Sequence, residues 1–375
     1  MTAEAHVAPP VPSKVVVAAL EADERDELAE YLATSGDENM PSADWRRRMD
    51  LWWDRNPYFG ADATRGWTVR ADGSLVGFFG VVPLGFQIAG REAIVYGSTT
   101  WRVDAAHRHV SMAGIAKVLR YTRESLLFIS TQTAALVKIL EALKFIALPR
   151  EQLYGWQPNT LPLRLDALAK LALRSERLTS IALAVPNAVA RIYPHLVRAR
   201  LAVAGRGLDV RAVEQADASF DALWASTRAL RPTTNTGTAA FLNWHCFASS
   251  DRDRRKKLFA CYRGDELVGF AVVATQRVRG RLVVHRCVDV WTDPAVRHVT
   301  DALVGGIVRG ALRDGADLLE VPSFAAELRA TTLRSGFLPR KLAHRGEYVL
   351  GPKGALHAVS ASDAHLCLLQ GDSGL

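Results

Sequence analysis

Alternating apolar and polar positions predict the same hairpin in both halves of the chain. In the first half, a short strand at 67–70 leads through the turn Asp72-Gly73 into an apolar strand that carries Leu75-Val-Gly-Phe78. In the second half, the turn Gly264-Asp265 precedes a strand that carries Leu267-Val-Gly-Phe270. Apolar and β-branched runs around such a turn are typical of β-hairpins. Each half is therefore predicted to contain a hairpin at an equivalent place.

Longer elements follow each hairpin in the same order. A long strand is predicted at 92–103 and again at 282–291, and an apolar helix follows each strand, at 112–121 and at 301–312. A further strand, a last helix and a closing strand complete each half. The predicted fold class is α/β (α+β), with two tandem mixed-sheet domains flanked by helices and joined by a helical linker.

The loop between the long strand and the apolar helix is the clearest repeated segment. Residues 104–113 and 293–302 share the pattern D-x-A-x-R-H-V-[S/T]-x-A at an offset of 189 residues. The Leu-Val-Gly-Phe segments recur at an offset of 192, and Leu51-Trp-Trp53 parallels Leu242-Asn-Trp244 at 191. Ordered matches at nearly one offset indicate a duplicated domain rather than a coincidence of α/β composition.

Domain boundaries follow from this repeat and from composition. A chain of 375 residues suits two domains, which are predicted at 14–150 and 208–352. The proline-containing start at 1–13 is predicted to be a disordered arm, and 353–375 a C-terminal tail. Residues 151–207 are rich in Leu, Ala and Arg and are predicted to form a helical linker or insert.

The linker and the overall charge bear on possible partners. Basic residues outnumber acidic ones at 164–206, which permits a peripheral contact with an anionic membrane face. We favour the simpler alternative, a helix packed between the domains with its arginines in water. The net charge of +8 favours an anionic partner, whether nucleic acid, a membrane face or a phosphorylated cofactor. The run Asp251–Lys257 contains two aspartates and no aromatic residue, which argues against nucleic acid.

Other classes of protein have no support in the sequence. No apolar run approaches the roughly 18 residues that a membrane-spanning helix needs. The four cysteines are far apart in sequence and are predicted to be reduced thiols in a cytoplasmic protein. No metal-binding or serine-hydrolase motif is present, so no metal cofactor is expected.

The repeated loop is predicted to bind an anion. The first amides of a helix have no internal acceptor, and the helix dipole favours negative charge there. In the first copy Arg108 adds donors for a phosphate, Ser111 suits the N-cap, and Ala113 and Gly114 leave room for a pyrophosphate. The second copy has Asp301 at the helix start, which would repel a phosphate. The first copy is therefore the better candidate, and the alternative is a capped helix without a ligand.

The order of elements and this loop resemble the GNAT superfamily of acyl-CoA N-acyltransferases, whose acetyl-CoA loop reads R/Q-x-x-G-x-G/A. Residues 108–113 match both ends of that pattern and replace its central glycine, and 111–116 give a second register that keeps Gly114 and Ala116. Leu333-Arg-Ser-Gly-Phe337 resembles the family's late Gly-Phe signature, and Ala142-Leu-Lys-Phe145 is a weakened form. By this resemblance the chain is identified as a tandem double-GNAT bacterial protein.

The resemblance implies transfer of an acetyl group from acetyl-CoA, or of another acyl group from its CoA thioester, to an amine. The acceptor would be a small molecule or a glycan, such as a cell-envelope or polysaccharide precursor. The strand before the loop would splay from its neighbour and offer main-chain groups to the pantetheine arm. The cofactor-binding residues expected on this basis are Trp101, Arg102, Val103, Arg108, His109, Val110, Ser111, Met112, Ala113, Gly114, Ile115 and Ala116.

The catalytic groups do not follow from the resemblance. The family's acid, often a tyrosine, lies close before the late phenylalanine, where this chain has Leu140 and Thr332. Tyr96 or Tyr121 is a possible substitute. Two alternatives therefore stay open: a transferase with an aminoacyl-tRNA donor, as in peptidoglycan-bridge enzymes, and a non-catalytic binding or scaffold protein that kept a duplicated fold.

Overall fold

The computed structural model describes residues 14–35, 40–130, 133–148, 158–164, 184–249, 256–278, 282–323, 325–339, 347–361, 363–367 and 369. The predicted arm at 1–13 lies outside the described residues. The strands are β1 (Val15–Ala19), β2 (Gly66–Ala71), β3 (Ser74–Ile88), β4 (Arg91–Val103), β5 (Leu127–Ile129), β6 (Ile146–Ala147), β7 (Asn159–Pro162), β8 (Asp209–Val213), β9 (Thr234–Asn235), β10 (Lys257–Arg263), β11 (Glu266–Val278), β12 (Leu282–Thr292), β13 (Leu318–Val321), β14 (Leu338–Pro339) and β15 (Tyr348–Leu350).

Helices cover both sheets. They are α1 (Arg25–Ser35), α2 (Ser42–Met49), α3 (Ser111–Tyr121), α4 (Ala134–Ala142), α5 (Ala184–Ala204), α6 (Ala218–Thr227), α7 (Ala239–Phe247), α8 (Val299–Arg313), α9 (Ala326–Arg334) and α10 (Lys353–Ser360). A π-helical turn at Asp50–Asp54 extends α2, and a 3₁₀ segment at Ala105–Val110 precedes α3. The mixed α/β fold class is confirmed.

Both predicted hairpins are present. β2 and β3 pair antiparallel around Asp72 and Gly73, which have φ of 48° and 87°. β10 and β11 pair in the same way around Gly264, whose φ is 62°. Left-handed backbone is the reason that each turn carries a glycine.

Equivalent hydrogen bonds confirm that the two halves repeat one architecture. The Asp104 N–H donates to the Val76 oxygen at 2.9 Å, and the Asp293 N–H donates to the Val268 oxygen at 2.9 Å. The last helix of each half also ends alike. The Phe145 N–H donates to the Leu140 oxygen at 3.0 Å, and the Phe337 N–H to the Thr332 oxygen at 3.0 Å.

The two sheets exchange strands. The first sheet has the order β1-β2-β3-β4-β5-β15-β6, with β9 also paired to β3, and the second has the order β14-β7-β13-β12-β11-β10-β8. Thus β7, which follows the first half in sequence, lies in the second sheet, and β15 lies in the first. The predicted ranges 14–150 and 208–352 therefore do not coincide with the sheets. Strands of three or four residues carry too short a pattern to show which sheet they join.

The two halves share a continuous core. Trp52, Trp53, Phe241 and Phe270 belong to one buried apolar cluster, and the Trp244 indole N–H donates to the Leu51 oxygen at 2.8 Å. The segment after α10 joins the same cluster through Leu366, Cys367 and Leu369. The predicted C-terminal tail is therefore packed structure as far as it is described.

Within the predicted linker, residues 159–162 form a strand and 184–204 form a helix. Val197 and Leu201 of α5 are buried in one cluster with Leu303 of α8. The helix therefore packs on the second half. Among the described residues, no helix combines the length and apolar character needed to cross a bilayer.

Candidate functional site

A wedge opens between two parallel strands of the first sheet. β4 pairs with β5 at Tyr96↔Leu127 and Gly97↔Phe128. β4 then continues to Val103 along β3, and in the described part of the chain no strand pairs with its other edge beyond Gly97. The main-chain groups of that edge are therefore offered to the gap. This is the splay that the family resemblance implied.

A β-bulge lies at the apex of the wedge. The pairing of β3 with β4 shifts between Gly80↔Thr99 and Phe78↔Arg102, so that β4 has one extra residue, and Thr100 has a left-handed φ of 51°. Bulges re-aim the main chain and are frequent next to active sites. The Trp101 indole N–H donates to the Gly80 oxygen at 3.1 Å, which anchors its side chain to β3.

The loop after β4 is held by the helical layer on one face of the sheet. The Tyr31 hydroxyl of α1 donates to the Asp104 carboxylate at 3.0 Å. Burial raises the pKa of Tyr31, and the hydrogen bond to Asp104 raises it further, so this hydroxyl stays protonated. The contact fixes the end of β4 relative to the 3₁₀ segment that leads to α3.

The start of α3 differs from the prediction in two respects. The N-cap is Val110, which has no side-chain acceptor, so Ser111 is the first helical residue and not the cap. Gly114 is buried, and a Cβ atom there would lie 2.2 Å from the Phe79 ring. The glycine therefore admits Phe79 beneath the helix rather than a pyrophosphate above it. The spacing along the chain could not show which face of α3 the glycine occupies.

The predicted cofactor residues meet at the mouth of the wedge but differ in exposure. Met112 is 48% exposed, whereas Ile115 is buried with Phe79 beneath the helix. The exposed residues are Arg108, His109, Met112, Ala113 and Ala116; the half-buried ones are Trp101, Arg102, Val103, Val110 and Ser111; the buried ones are Gly114 and Ile115. An open helix start without a side-chain cap, beside an exposed arginine, suits a phosphate.

The two histidines that flank Arg108, His107 and His109, are not hydrogen-bonded to each other. The His107 and His109 rings lie 6.4 Å apart, and the buried His107 Nδ1 has no hydrogen-bond partner in the structure. An unpaired nitrogen at this position is a further polar group that a bound phosphate or water would satisfy.

The two tyrosines considered as proton donors pack between the sheet and α3. The Tyr96 hydroxyl lies 3.5 Å from that of Tyr121, their rings meet edge to face, and Trp67 contacts Tyr121. Burial raises the pKa of Tyr96, with a further contribution from Tyr121. A raised pKa makes Tyr96 a weaker acid, and Tyr121 is packed against Tyr96 and Trp67. The structure therefore adds no support for either tyrosine as the catalytic acid.

The corresponding helix start in the second half is filled by its own side chain. The buried Asp301 carboxylate accepts from Arg334 at 2.5 Å and from Thr331 at 3.3 Å, and its second oxygen lies 3.1 Å from His298 Nδ1. The N-cap of α8 is His298. A cavity of about 360 Å³ beside this loop is lined by both acidic and basic residues, including Asp293, Asp301, Glu327, Arg297, His298 and Arg334.

The wedge of the second sheet is also occupied differently. β12 pairs with β13 over Val284–Arg286 and also has a bulge, which lies between Val272↔Asp289 and Val273↔Cys287, one step further along the hairpin than the bulge of β4. The Asp289 carboxylate lies 2.9 Å from His365 Nε2. His365 also contacts Arg231, at 3.2 Å. The C-terminal segment therefore ties down the bulge of the second copy.

Glu347 is a buried carboxyl that sequence reasoning missed. It directly precedes β15, whose Tyr348 pairs with Ile129 just beyond the last β4–β5 pair. Burial raises its pKa to about 8, and burial, Asp289 and Glu347 together raise the pKa of Cys367. A lone glutamate before a strand of three residues gave no signal in the sequence, because only the exchange of β15 places it in the first sheet.

No family model and no curated protein sequence matches this chain. Solved structures do match it in fold. Saccharomyces cerevisiae N-myristoyltransferase with bound myristoyl-CoA has a TM-score of 0.55 at 10% identity, over 92% of this chain and 85% of that one. A GCN5-related N-acetyltransferase from Kribbella flavida has a TM-score of 0.56 at 12% identity, over 90% and 71%.

A third structure, a probable N-acyltransferase from Enterococcus faecalis V583, has a TM-score of 0.55 at 10% identity and covers 90% of this chain and 72% of its own. Each likeness extends over at least 90% of the chain and therefore includes both halves. Identities this low establish the fold and not the substrate. The chain therefore has the fold of the GNAT acyl-CoA N-acyltransferases, as the sequence resemblance implied.

Proposed function

We propose that this chain is an acyl-CoA-dependent N-acyltransferase whose first half binds the acyl donor. The observation that carries the proposal is the combination of an open wedge between β4 and β5 with an exposed, uncapped start of α3. The second half keeps the same strands but fills the corresponding helix start with Asp301. The names of the structural neighbours, which are N-acetyl-, N-acyl- and N-myristoyltransferases, support the reaction class.

The residues present fit an acyl-CoA. The α3 amides and the exposed Arg108 guanidinium would hold the pyrophosphate, and the free edge of β4 would hydrogen-bond the pantetheine amides. Acyl-CoA supplies a thioester whose carbonyl carbon an amine attacks. The bulge at Thr99–Trp101 aims main-chain groups toward the carbonyl oxygen, where negative charge develops. We expect acetyl-CoA to be the donor and a small molecule or glycan to supply the amine.

We propose Glu347 as the proton acceptor, because it precedes β15, the strand paired with β5 beside the wedge. Its buried carboxyl has a pKa of about 8, which is close to the working pH at which a general base is most effective. It would take the proton from the attacking amine. The second sheet has Pro158 at the corresponding position before β7, so this group is particular to the first wedge.

Calorimetric titration with acetyl-CoA and with myristoyl-CoA tests the donor site. We expect saturable binding of an acyl-CoA and a loss of roughly tenfold or more in Arg108→Ala, because a charge-assisted hydrogen bond to phosphate is removed. Ala113→Glu, on the exposed face of α3, should abolish binding by repulsion. Arg297→Ala in the second copy is the matched control and should bind normally.

The same titration distinguishes the alternatives. Equal losses in Arg108→Ala and Arg297→Ala would contradict the assignment to the first copy. Absence of binding by any acyl-CoA, with the circular dichroism of the folded protein, would contradict the proposed function. A transfer assay with aminoacyl-tRNA in place of acyl-CoA would then decide between another donor and a non-catalytic protein.

A further inference from the structure

The outer face of α5 carries an apolar stripe. Ile192, Leu196 and Val203 are 59%, 57% and 70% exposed. With Ala199 they are spaced at i, i+4, i+7 and i+11, which places them on one side of a helix. Soluble proteins seldom leave large apolar side chains grouped on the surface without an interaction that uses them.

The rotation of α5 is fixed, so the stripe cannot turn inward. Val197 and Leu201 are 1% exposed and pack on α8, on the opposite side of the helix. A Cβ atom on Gly205, just after α5, would lie 2.8 Å from that of Ala302. The Tyr193 hydroxyl also donates to the Gly336 oxygen at 2.6 Å. The apolar stripe is therefore presented on a rigid support.

The apolar surface continues beyond the helix. Leu333 and Leu338, which flank Gly336 in the chain, are both exposed. Of the ten exposed large apolar side chains in the described part of the protein, six belong to α5 or to these flanking positions: Ile192, Tyr193, Leu196, Val203, Leu333 and Leu338. This concentration distinguishes the surface from the scattered apolar residues that any protein exposes.

Positive charge borders the stripe. At 100° per residue, Arg200 falls beside the line through Ile192, Leu196 and Val203, whereas Arg198 lies toward the pocket between α5 and α8. Both arginines are exposed, and no Asp or Glu occurs anywhere from 184 to 204. Arg206 and Arg309 line a cavity of about 260 Å³ between the end of α5 and α8. Arginine stems can lie along an apolar surface while their guanidinium groups reach phosphates.

We propose that this face of α5 docks on an anionic membrane surface. An exposed apolar stripe on a helix that carries arginines and no Asp or Glu matches an interfacial helix whose apolar side enters the headgroup region. Charge argues against a second copy of the chain, because two such faces would repel each other. The inner face of α5 is already used by α8, so the helix would lie in the interface plane and would not span the bilayer.

Sedimentation with large unilamellar vesicles tests the proposal on the full-length protein. We expect binding to phosphatidylcholine vesicles that contain one-third phosphatidylserine, little binding to phosphatidylcholine alone, and weakening by salt. Arg198→Ala/Arg200→Ala should weaken binding roughly thirtyfold, since each basic residue near an anionic surface contributes about 1 kcal/mol. Leu196→Glu/Val203→Glu should abolish it.

Leu230→Glu is the control. Leu230 is 58% exposed and is distant in sequence from α5, so this variant should bind vesicles as the unchanged protein does. Equal binding to both kinds of vesicle, or no response to either double substitution, would overturn the proposal. No binding to either vesicle would also overturn it and would make this face a protein-docking surface. Calorimetry with acyl-CoA on the same variants should be unchanged, which separates this test from that of the catalytic proposal.

Discussion

The two halves of this protein show how one architecture can be kept open or closed at the same place. In the first half, the start of α3 is exposed and its N-cap side chain makes no hydrogen bond. In the second, Asp301 binds Arg334 and Thr331 at the corresponding place, and α5 covers Ala302. The hydrogen-bonded frame is the same, so the difference lies in a few side chains and one added helix. The two halves therefore share a fold and differ in how accessible the start of this helix is.

The side chains that pack between helix and sheet below each loop also differ in size between the two halves. In the first half, Phe79 lies against Gly114. In the second half the corresponding residues are Ala271 and Leu303, both buried. The large side chain comes from the strand in one copy and from the helix in the other. Total volume is conserved, which is the kind of exchange that a packed core tolerates.

We expect the largest effect from replacing Gly114 of α3 by leucine, which is the residue (Leu303) at the corresponding position of α8. Gly114→Leu would place a side chain inside the Phe79 ring, where even a Cβ atom lies 2.2 Å away. We expect the free energy of unfolding to fall by about 3 kcal/mol or more. The double substitution Phe79→Ala/Gly114→Leu should recover much of that loss. Urea denaturation of the single and double variants measures the coupling.

Gly60→Ala is a suitable control for this cycle, because no atom lies within 4 Å of a Cβ built there. If the double variant loses as much free energy of unfolding as the two single variants together, the Phe79–Gly114 and Ala271–Leu303 pairs are not interchangeable ways of filling the same space.

The next effect tests whether Asp301 alone closes the second copy. Asp301→Ser removes a buried acceptor from Arg334, Thr331 and His298, and should reduce stability by about 2 kcal/mol. We do not expect it to create an acyl-CoA site, because α5 still covers Ala302. Thermal unfolding and calorimetry with acetyl-CoA measure the two outcomes. A gain of saturable binding at the second copy would show that a single carboxylate, and not the added helix, separates the two halves.

The third effect concerns the carboxyl group that the first wedge has and the second lacks. The pKa of Glu347 in the folded protein is about 8, above its usual value near 4.5. The stability it contributes is therefore present below about pH 4.5 and is lost as pH rises through 8. Between pH 6 and 8 the unchanged protein should lose about 2 kcal/mol relative to Glu347→Gln. If the free energies of unfolding of the two proteins change with pH in parallel, this effect of burial is refuted.

Much of this fold could be predicted from local patterns, because hairpins, long strands and the loop each depend on neighbouring residues. The offset between Asp104 and Asp293 already indicated the duplication that the shared hydrogen bonds confirm. The exchange of β7 and β15 could not be predicted in this way. Which sheet a strand of three or four residues joins is decided by the packing of the whole chain. Glu347 was missed for that reason.

The helix that carries the candidate site was predicted, but the orientation of its side chains was not. Periodicity located the start of α3 correctly, since an apolar helix after a long strand has a strong local signal. It could not show that Gly114 faces Phe79 while Ala113 faces outward. A rotation of 100° per residue separates these neighbours, and the motif alone does not fix the rotation of the helix on the sheet. Side-chain roles within a motif therefore needed the packed structure.

The smallest effect concerns the hydrogen bond that holds the open loop. Tyr31→Phe removes the donor to Asp104 and should reduce stability by about 1 kcal/mol. The effect on acyl-CoA affinity is more informative. Because the loop is less well fixed, Tyr31→Phe should bind acyl-CoA several-fold more weakly even though Arg108 is still present. Helix α6 of the second half contains no tyrosine. If Tyr31→Phe lowers stability and leaves acyl-CoA affinity intact, the contact supports the fold of the first half and not its capacity to bind.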